Sequence, residues 1–286
     1  MWPLVIDYPN IDPVAIAIGP VAIRWYGLAY MAGLILGWLY IRRLLTENSL
    51  WTAATPPFGL ERVDDLLIYV TAGVILGGRL GYILFYEPSL YFANPLEVFK
   101  VWNGGMSFHG AIIGSALAIW LFARSWHVNV WSAMDVCAAA NPIGLFFGRI
   151  ANFINGELYG RATDVSWGMS FCNDYVRTHY GGECPPALLV PRHPSQLYEA
   201  ALEGLVLFVV LRYLTHTKFA LKRPGVVIGT FLVGYGLARS ACEFFRDPHP
   251  GHFLNIGPLT AGIFYSIPMI LLGLYFIVLA RKRVVA

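Results

Sequence analysis

Seven long apolar stretches dominate this chain, at about residues 21–41, 66–86, 105–123, 131–154, 194–214, 225–246 and 258–280. Each is close to the ~20 residues a helix needs to cross ~30 Å of hydrocarbon at ~1.5 Å per residue. Within lipid, only helices and closed barrels satisfy every backbone polar group. Barrel strands would alternate polar and apolar residues, and these stretches do not. The expected fold is therefore all-α: a polytopic integral membrane protein with seven transmembrane helices. Composition agrees, with 57% of the 286 residues hydrophobic and 13% charged, against ~25% charged in an ordinary soluble domain. So few charges could not cover the surface of a soluble monomer, and the same apolar content excludes disorder.

Orientation follows from the bias of Lys and Arg toward the cytoplasm. With the N-terminus outside, inside segments carry eleven of them, from Arg42 and Arg43 to Arg281-Lys282-Arg283. Outside segments carry four: Lys100, Arg161, Arg177 and Arg192. The expectation is N-out and C-in. The whole chain then forms one membrane domain, with residues 155–192 as an extracytoplasmic loop insertion between spans four and five. Cys172 and Cys184 lie in that loop, and the sequence leaves both a disulfide and two free thiols open. Cys137 and Cys242 fall within spans, as small apolar packers.

The net charge of +3 comes with no basic block of the kind that binds nucleic acid. No Cys/His group has metal-ligand spacing, so no metal site is expected. The start, Met1-Trp2-Pro3-Leu4-Val5-Ile6-Asp7, lacks a basic n-region, so no cleavable signal peptide is expected.

Ionisable residues inside spans are costly and usually functional. Here they gather at one depth, the outer half of the bilayer: Tyr26, Arg79, His109, Arg149, Glu199, Arg239 and Glu243 come from six different spans. Glu203 is read as somewhat deeper, and Asp135 as near the inner face. Arg24 and Arg246 are read as snorkelling at the water boundary. Tyr235, Arg239 and Glu243 recur every four residues and form one helix stripe, with Glu243 placed to pair with Arg239 and either Glu157 or Glu199 with another arginine. Arg149 and Asn152 share a face, and Asn155 and Glu157 follow at the mouth. Arginine forks match phosphate bidentately, so an anionic phospholipid is the expected ligand. Each residue also has a structural alternative: Arg79 as a counter-ion, Arg239–Glu243 as a plain buried pair, His109 as a core histidine, and Tyr26 as an interfacial anchor. Gly73, Gly77 and Gly81, with Gly110 and Gly114, have the spacing of closely packed helices.

Several segments carry recognisable motifs. They are Trp25-Tyr26-Gly27, Gly77-Gly78-Arg79-Leu80-Gly81-Tyr82, Gly104-Gly105-Met106-Ser107-Phe108-His109-Gly110, and Gly148-Arg149-Ile150-Ala151-Asn152-Phe153-Ile154-Asn155-Gly156-Glu157. Further along come Arg192-His193-Pro194-Ser195-Gln196-Leu197-Tyr198-Glu199, Gly234-Tyr235-Gly236-Leu237-Ala238-Arg239 and Glu243-Phe244-Phe245-Arg246. Together, in this order from about residue 20 to 280, they resemble the prolipoprotein diacylglyceryl transferases. Asn103 stands where aspartate is commoner, and the loop from Arg161 to Val190, with its two cysteines, lies outside these motifs. The resemblance implies a bacterial inner-membrane enzyme that moves the diacylglyceryl group of phosphatidylglycerol onto the lipobox cysteine of a prolipoprotein signal peptide. It implies no metal or cofactor. It carries function onto Tyr26, His109, Arg149, Asn152, Glu157, Tyr235, Arg239 and Glu243.

That chemistry needs a thiolate and a stabilised leaving phosphate. Arg149 and Arg239 are expected on the phosphate, with Arg79 among the lipid-binding groups and Asn152 and Asn155 on the glycerol headgroup. His109 is the expected base. Tyr26 either orients the lipid or carries a proton. Glu243 is expected to position Arg239, and Glu157 to act likewise on Arg149. A channel would need polar residues through the whole depth. A serine protease would need a better pair than Ser107 and His109, which do not face each other on a helix. A CDP-alcohol phosphotransferase would need an acidic metal motif that is missing.

Overall fold

The computed structural model describes residues 6–19, 21–100, 104–247 and 260–283. Met1 to Val5 and Asn103 lie outside them, as does the expected start of the last span at 258. The elements run β1 (Ile6–Asp7), β2 (Val14–Ile18), β3 (Val21–Arg24), α1 (Trp25–Thr46), α2 (Arg62–Phe85), α3 (Pro88–Ala93), α4 (Phe108–Ser125) and α5 (Val130–Ile154). Then come β4 (Met169–Ser170), α6 (Asp174–His179), α7 (Pro186–Leu189), α8 (Ser195–Glu199), a π-helical segment (Ala200–Val206), α9 (Leu207–His216), α10 (Val226–Glu243) and α11 (Ala261–Arg283). Among the described residues, five helices, α1, α2, α5, α10 and α11, are long and apolar enough to cross a membrane. The chain is thus a helical integral membrane protein.

The first apolar stretch is not helical from residue 21. Residues 21–24 pair antiparallel with β2 around Gly19, whose φ of +57° suits a turn, and helix begins only at Trp25. Alternating Val-Ala-Ile residues favour the extended form there, ahead of the helical pattern. β1 and β4 form a second pair, parallel and two residues long.

Neighbouring helices run antiparallel and meet through glycine. A Cβ on Gly77 of α2 would lie 2.7 Å from Gly114 Cα of α4, and one on Gly81 would lie 2.9 Å from Gly110 Cα. Only a residue without a side chain permits such an approach, and in lipid that packing is what holds helices together. Gly77→Ala is expected to cost about 1–3 kcal/mol by overpacking and to lower Tm in detergent micelles. Gly37→Ala, whose Cβ would sit an ordinary 4.0 Å from Ala140 Cβ, should change Tm little. Equal shifts for the two would contradict the contact.

The apolar core lies at one end of the bundle. It joins Leu44 and Leu45 of α1, Phe122 of α4, Val136 and Ala139 of α5, Leu211 of α9 and Val227 of α10. Asp135, fully buried there, accepts from the backbone N–H of Gly225 at 2.7 Å and of Ile228 at 2.8 Å. It therefore caps α10, where a carboxylate meets unsatisfied N–H groups and the positive end of the helix dipole. This removes it from the functional residues. The opposite end carries the starts of α1, α4, α8 and α11 and the ends of α2, α5 and α10. Beside it a small cluster of Tyr8, Phe171 and Leu188 packs under the 155–192 connection, and Cys172 and Cys184 are joined in a disulfide with Cα atoms 5.9 Å apart.

Candidate active site

Three arginines and three glutamates interlock at that end. Arg149 of α5 donates through Nε and Nη2 to Glu203 Oε2, at 3.2 and 3.0 Å, and its Nη1 lies 3.1 Å from Glu199 Oε2. Arg239 of α10 places Nη1 2.6 Å from Glu243 Oε2 and 3.4 Å from Glu199 Oε1. Arg246, just past α10, donates to the same Glu199 oxygen at 2.8 Å. Glu199 and Glu203 are completely buried and Glu243 nearly so. Buried charges survive only when paired, and here each carboxylate meets at least one guanidinium.

Local sequence explains how these groups meet. The stripe of Tyr235, Arg239 and Glu243 runs along α10 toward its end. Glu199 closes α8, and the following segment takes π geometry, a distortion common at functional sites. A Cβ at Gly204 would lie 2.6 Å from Phe146 Cβ, so only glycine lets this segment approach α5 closely enough to seat Glu203 against Arg149.

The other predicted residues surround the network. Tyr235, buried, lies within electrostatic range of Arg149, Arg239, Glu199 and Glu203. Tyr26 lies within range of Arg149 and Glu157, and its hydroxyl is 3.1 Å from that of Tyr30. Asn152 and Asn155 donate to Glu157 Oε1 at 2.8 and 3.4 Å. The turn they form is fixed from both sides. Gln196 Nε2 donates to the Glu157 carbonyl at 2.7 Å, and Tyr8 Oη donates to the Ile154 carbonyl at 2.8 Å; burial pushes the Tyr8 phenol above its ordinary pKa. His109 packs edge-on against Tyr265 of α11, with ring centroids 4.7 Å apart. One turn earlier on that helix, a Cβ on Gly262 would collide with the Glu243 carboxylate. His109 and Glu243 therefore both lie against the first turns of α11.

Four expectations change. Glu157 does not act on Arg149: its side chain takes the two asparagines, and Arg149 takes Glu199 and Glu203. Arg246 does not snorkel, because its side chain is 11% exposed and bound to Glu199. Glu203 is not an outlying polar group but a member of the network. Arg79 is separate from the network. It is buried, and its Nε, Nη1 and Nη2 donate to the carbonyls of Val98, Gly104, Gly105, Glu97 and Lys100. No donor is left for a lipid phosphate.

Glu203 and Arg246 were absent from the expected site set, whereas Glu199 was expected at the common depth as one of two candidate partners for an arginine. Glu199 and Glu203 are spaced i, i+4 on one helix, which was the available signal. Arg246 ends the Glu243-Phe244-Phe245-Arg246 motif, but nothing local marks Glu199 as its partner. Gly160 bonds to the His193 carbonyl, Arg161 to Phe245, and Arg192 Nη1 lies 2.8 Å from Asp247 Oδ2. Burial lowers the pKa of His193 in this strap. Among the described residues, no group of three or more His, Cys, Asp or Glu is placed to hold a metal.

A helical bundle of long apolar helices that holds interlocked, buried arginines and carboxylates at one end defines an integral membrane protein with a buried ionic site. The profile of the family described as prolipoprotein diacylglyceryl transferase matches residues 13–279, and the chain belongs to that family. A phosphatidylglycerol–prolipoprotein diacylglyceryl transferase of Phenylobacterium zucineum is 53% identical over 271 residues, covering 94% of this chain and 93% of its own. Its counterpart in Rhizobium meliloti is 49% identical over 283 residues, covering 99% and 96%. That of Methylocella silvestris is 50% identical over 281 residues, covering 98% of both.

Proposed function

We propose that this chain transfers the diacylglyceryl group of phosphatidylglycerol to the thiol of the lipobox cysteine of a prolipoprotein, the first step of lipoprotein maturation. The observation that carries it is the family match over residues 13–279, with relatives of that name about half identical along nearly their whole length. In the reaction, sulfur bonds to the terminal glyceryl carbon as that carbon's bond to the phosphate oxygen breaks. The electron pair leaves with glycerol phosphate, and the thiol proton passes to a base.

Arg239 is the first phosphate ligand. Only its Nη1 is occupied by Glu199 and Glu243, and Nε and Nη2 have no partner among the described residues. Glu243 holds that fork in place. Arg149, locked to Glu199 and Glu203, adds fixed positive charge rather than a free fork. The glycerol headgroup brings hydroxyl donors. Asn152, Asn155 and Glu157 face it, and Glu203 Oε1, buried without a hydrogen-bond partner among the described residues, is left to accept one. Tyr235 and Tyr26 flank the bound lipid. His109 is the base that receives the thiol proton. His109→Gln is expected to lower the rate by roughly 10²–10⁴-fold, and near-wild-type turnover would remove it from that role.

The site lies in the outer half of a bacterial inner membrane. The two remaining helical runs, α4 and residues 195–216, complete seven spans with the N-terminus outside and the C-terminus inside. The Lys/Arg bias supports this, and so does a disulfide in the 155–192 connection, since disulfides persist on the oxidising side. In intact cells, a membrane-impermeant maleimide should label Cys172 and Cys184 only after reduction. Labelling without reductant would contradict it.

The direct test supplies phosphatidylglycerol and a lipobox peptide to purified protein. The peptide should gain the mass of a diacylglyceryl group on its cysteine, and a Cys→Ser peptide should gain nothing. An unmodified cysteine peptide would overturn the proposal.

A further inference from the structure

The five N–H donors of the Arg79 guanidinium meet five backbone carbonyls of one short segment. Nε donates to Val98 at 3.0 Å, Nη1 to Gly104 at 2.6 Å and Gly105 at 3.2 Å, and Nη2 to Glu97 at 2.5 Å and Lys100 at 3.3 Å. The same guanidinium stacks over the Tyr91 ring, 5.0 Å from its centre. Arg79 is 4% exposed, so each of these carbonyls replaces water the guanidinium would otherwise need. Gly104 and Gly105 take φ of +82° and +79°, a conformation open to glycine at little cost. Two residues on, the Ser107 N–H donates to the Gly78 carbonyl at 2.8 Å, and Ser107 Oγ caps α4 by accepting from Gly110 N–H. Residues 97–100 and 104–107 are therefore both tied to α2, and His109 follows in the first turn of α4.

We propose that Arg79 is a positioning residue of the transfer reaction: it fixes residues 97–100 and 104–107 on α2 and thereby sets where the first turn of α4 presents His109. This rests on the reading of His109 as the base. The donor geometry, not the charge, does the positioning. A fork with five fixed donors spans carbonyls from residues 97 to 105, whereas the three donors of a lysine ammonium at one point do not. Arg79 then contributes to the rate and not to lipid affinity.

The test compares Arg79→Lys and Gly105→Ala with wild type in micelles containing phosphatidylglycerol. Gly105→Ala leaves the arginine intact but adds a Cβ 2.7 Å from Tyr82 Cε1 at a positive φ, which disturbs the segment from the other side. Both variants should lower kcat at least ~10-fold, the scale on which misplacement of a reacting group acts, with KM for phosphatidylglycerol within twofold. Both should also speed amide hydrogen exchange across residues 97–100 and 104–107. A tenfold rise in KM for Arg79→Lys with unchanged exchange would overturn the proposal in favour of a phosphate ligand. Unchanged kcat in both variants would overturn it as well. A parallel His109→Gln measurement separates the two readings: normal turnover there refutes the base, while the exchange data still judge the clamp.

Discussion

Replacing Arg239 by lysine is expected to lower kcat by roughly 10²–10³-fold, the loss seen when one donor to a developing negative charge is removed. Arg239 Nη1 is shared between Glu243 and Glu199, and its other two nitrogens have no partner among the described residues, so under the proposed role they form the edge of a rigid fork that takes the phosphate. A lysine ammonium drawn to those two carboxylates has no such second edge. The positive charge survives, so ground-state attraction to an anionic lipid falls less than the rate. KM for phosphatidylglycerol should rise only a few-fold. Arg239→Ala should be worse in both respects, because Glu243 then faces no guanidinium at all and remains buried. The measurement is initial-rate transfer to a lipobox peptide across a range of phosphatidylglycerol mole fractions. Retention of kcat within threefold in the lysine variant would show that Arg239 merely balances charge.

The helical membrane fold and much of the ionic site were legible because both rest on one-dimensional signals. Span length is set by bilayer thickness, and an isolated charge in an apolar run stands out. The stripe of Tyr235, Arg239 and Glu243 needed only helical periodicity. What escaped were choices between partners that the sequence presents equally. Arg149 had Glu157 close in sequence with Glu199 as an open alternative, and it pairs with Glu199 and Glu203, fifty or more positions away. A near neighbour in the chain is no nearer in space once a turn such as that at Gly156, with φ of +65°, redirects it. Asp135, Arg79 and Arg246 show a second limit. Composition marks a buried charge as expensive but does not say whether a ligand or the backbone satisfies it. For Asp135 and Arg79 the answer is main-chain N–H and C=O groups, which carry no sequence signature. For Arg246 it is a carboxylate brought within reach by the strap of Gly160, Arg161 and Arg192.

The largest effect on the folded protein is expected at Glu199. It is completely buried and touches Arg149, Arg239 and Arg246. With it, three guanidinium groups meet three carboxylates. Without it, Glu203 and Glu243 alone face three positive charges, and one charge is left uncompensated where solvation is poor. Removing one partner of a buried pair costs about 3–5 kcal/mol, and here a single change removes the partner of three. Glu199→Ala should therefore lower both Tm and the yield of folded protein, and, if Arg149 and Arg239 act on the phosphate as proposed, abolish transfer by releasing both arginines. Glu199→Gln keeps the shape and one carbonyl acceptor, so its loss of stability should be smaller. The decisive experiment is the double variant Glu199→Gln with Arg246→Met. It removes one charge of each sign, so the network is again balanced between Arg149, Arg239, Glu203 and Glu243. If charge balance governs stability, the double variant should recover much of the Tm lost by Glu199→Gln alone, a coupling expected between groups in direct contact. It should not recover activity, since Arg149 and Arg239 no longer share a charged anchor. Additive losses of Tm in the double variant would mean that the Glu199 hydrogen-bond geometry, and not its charge, holds this end of the bundle together.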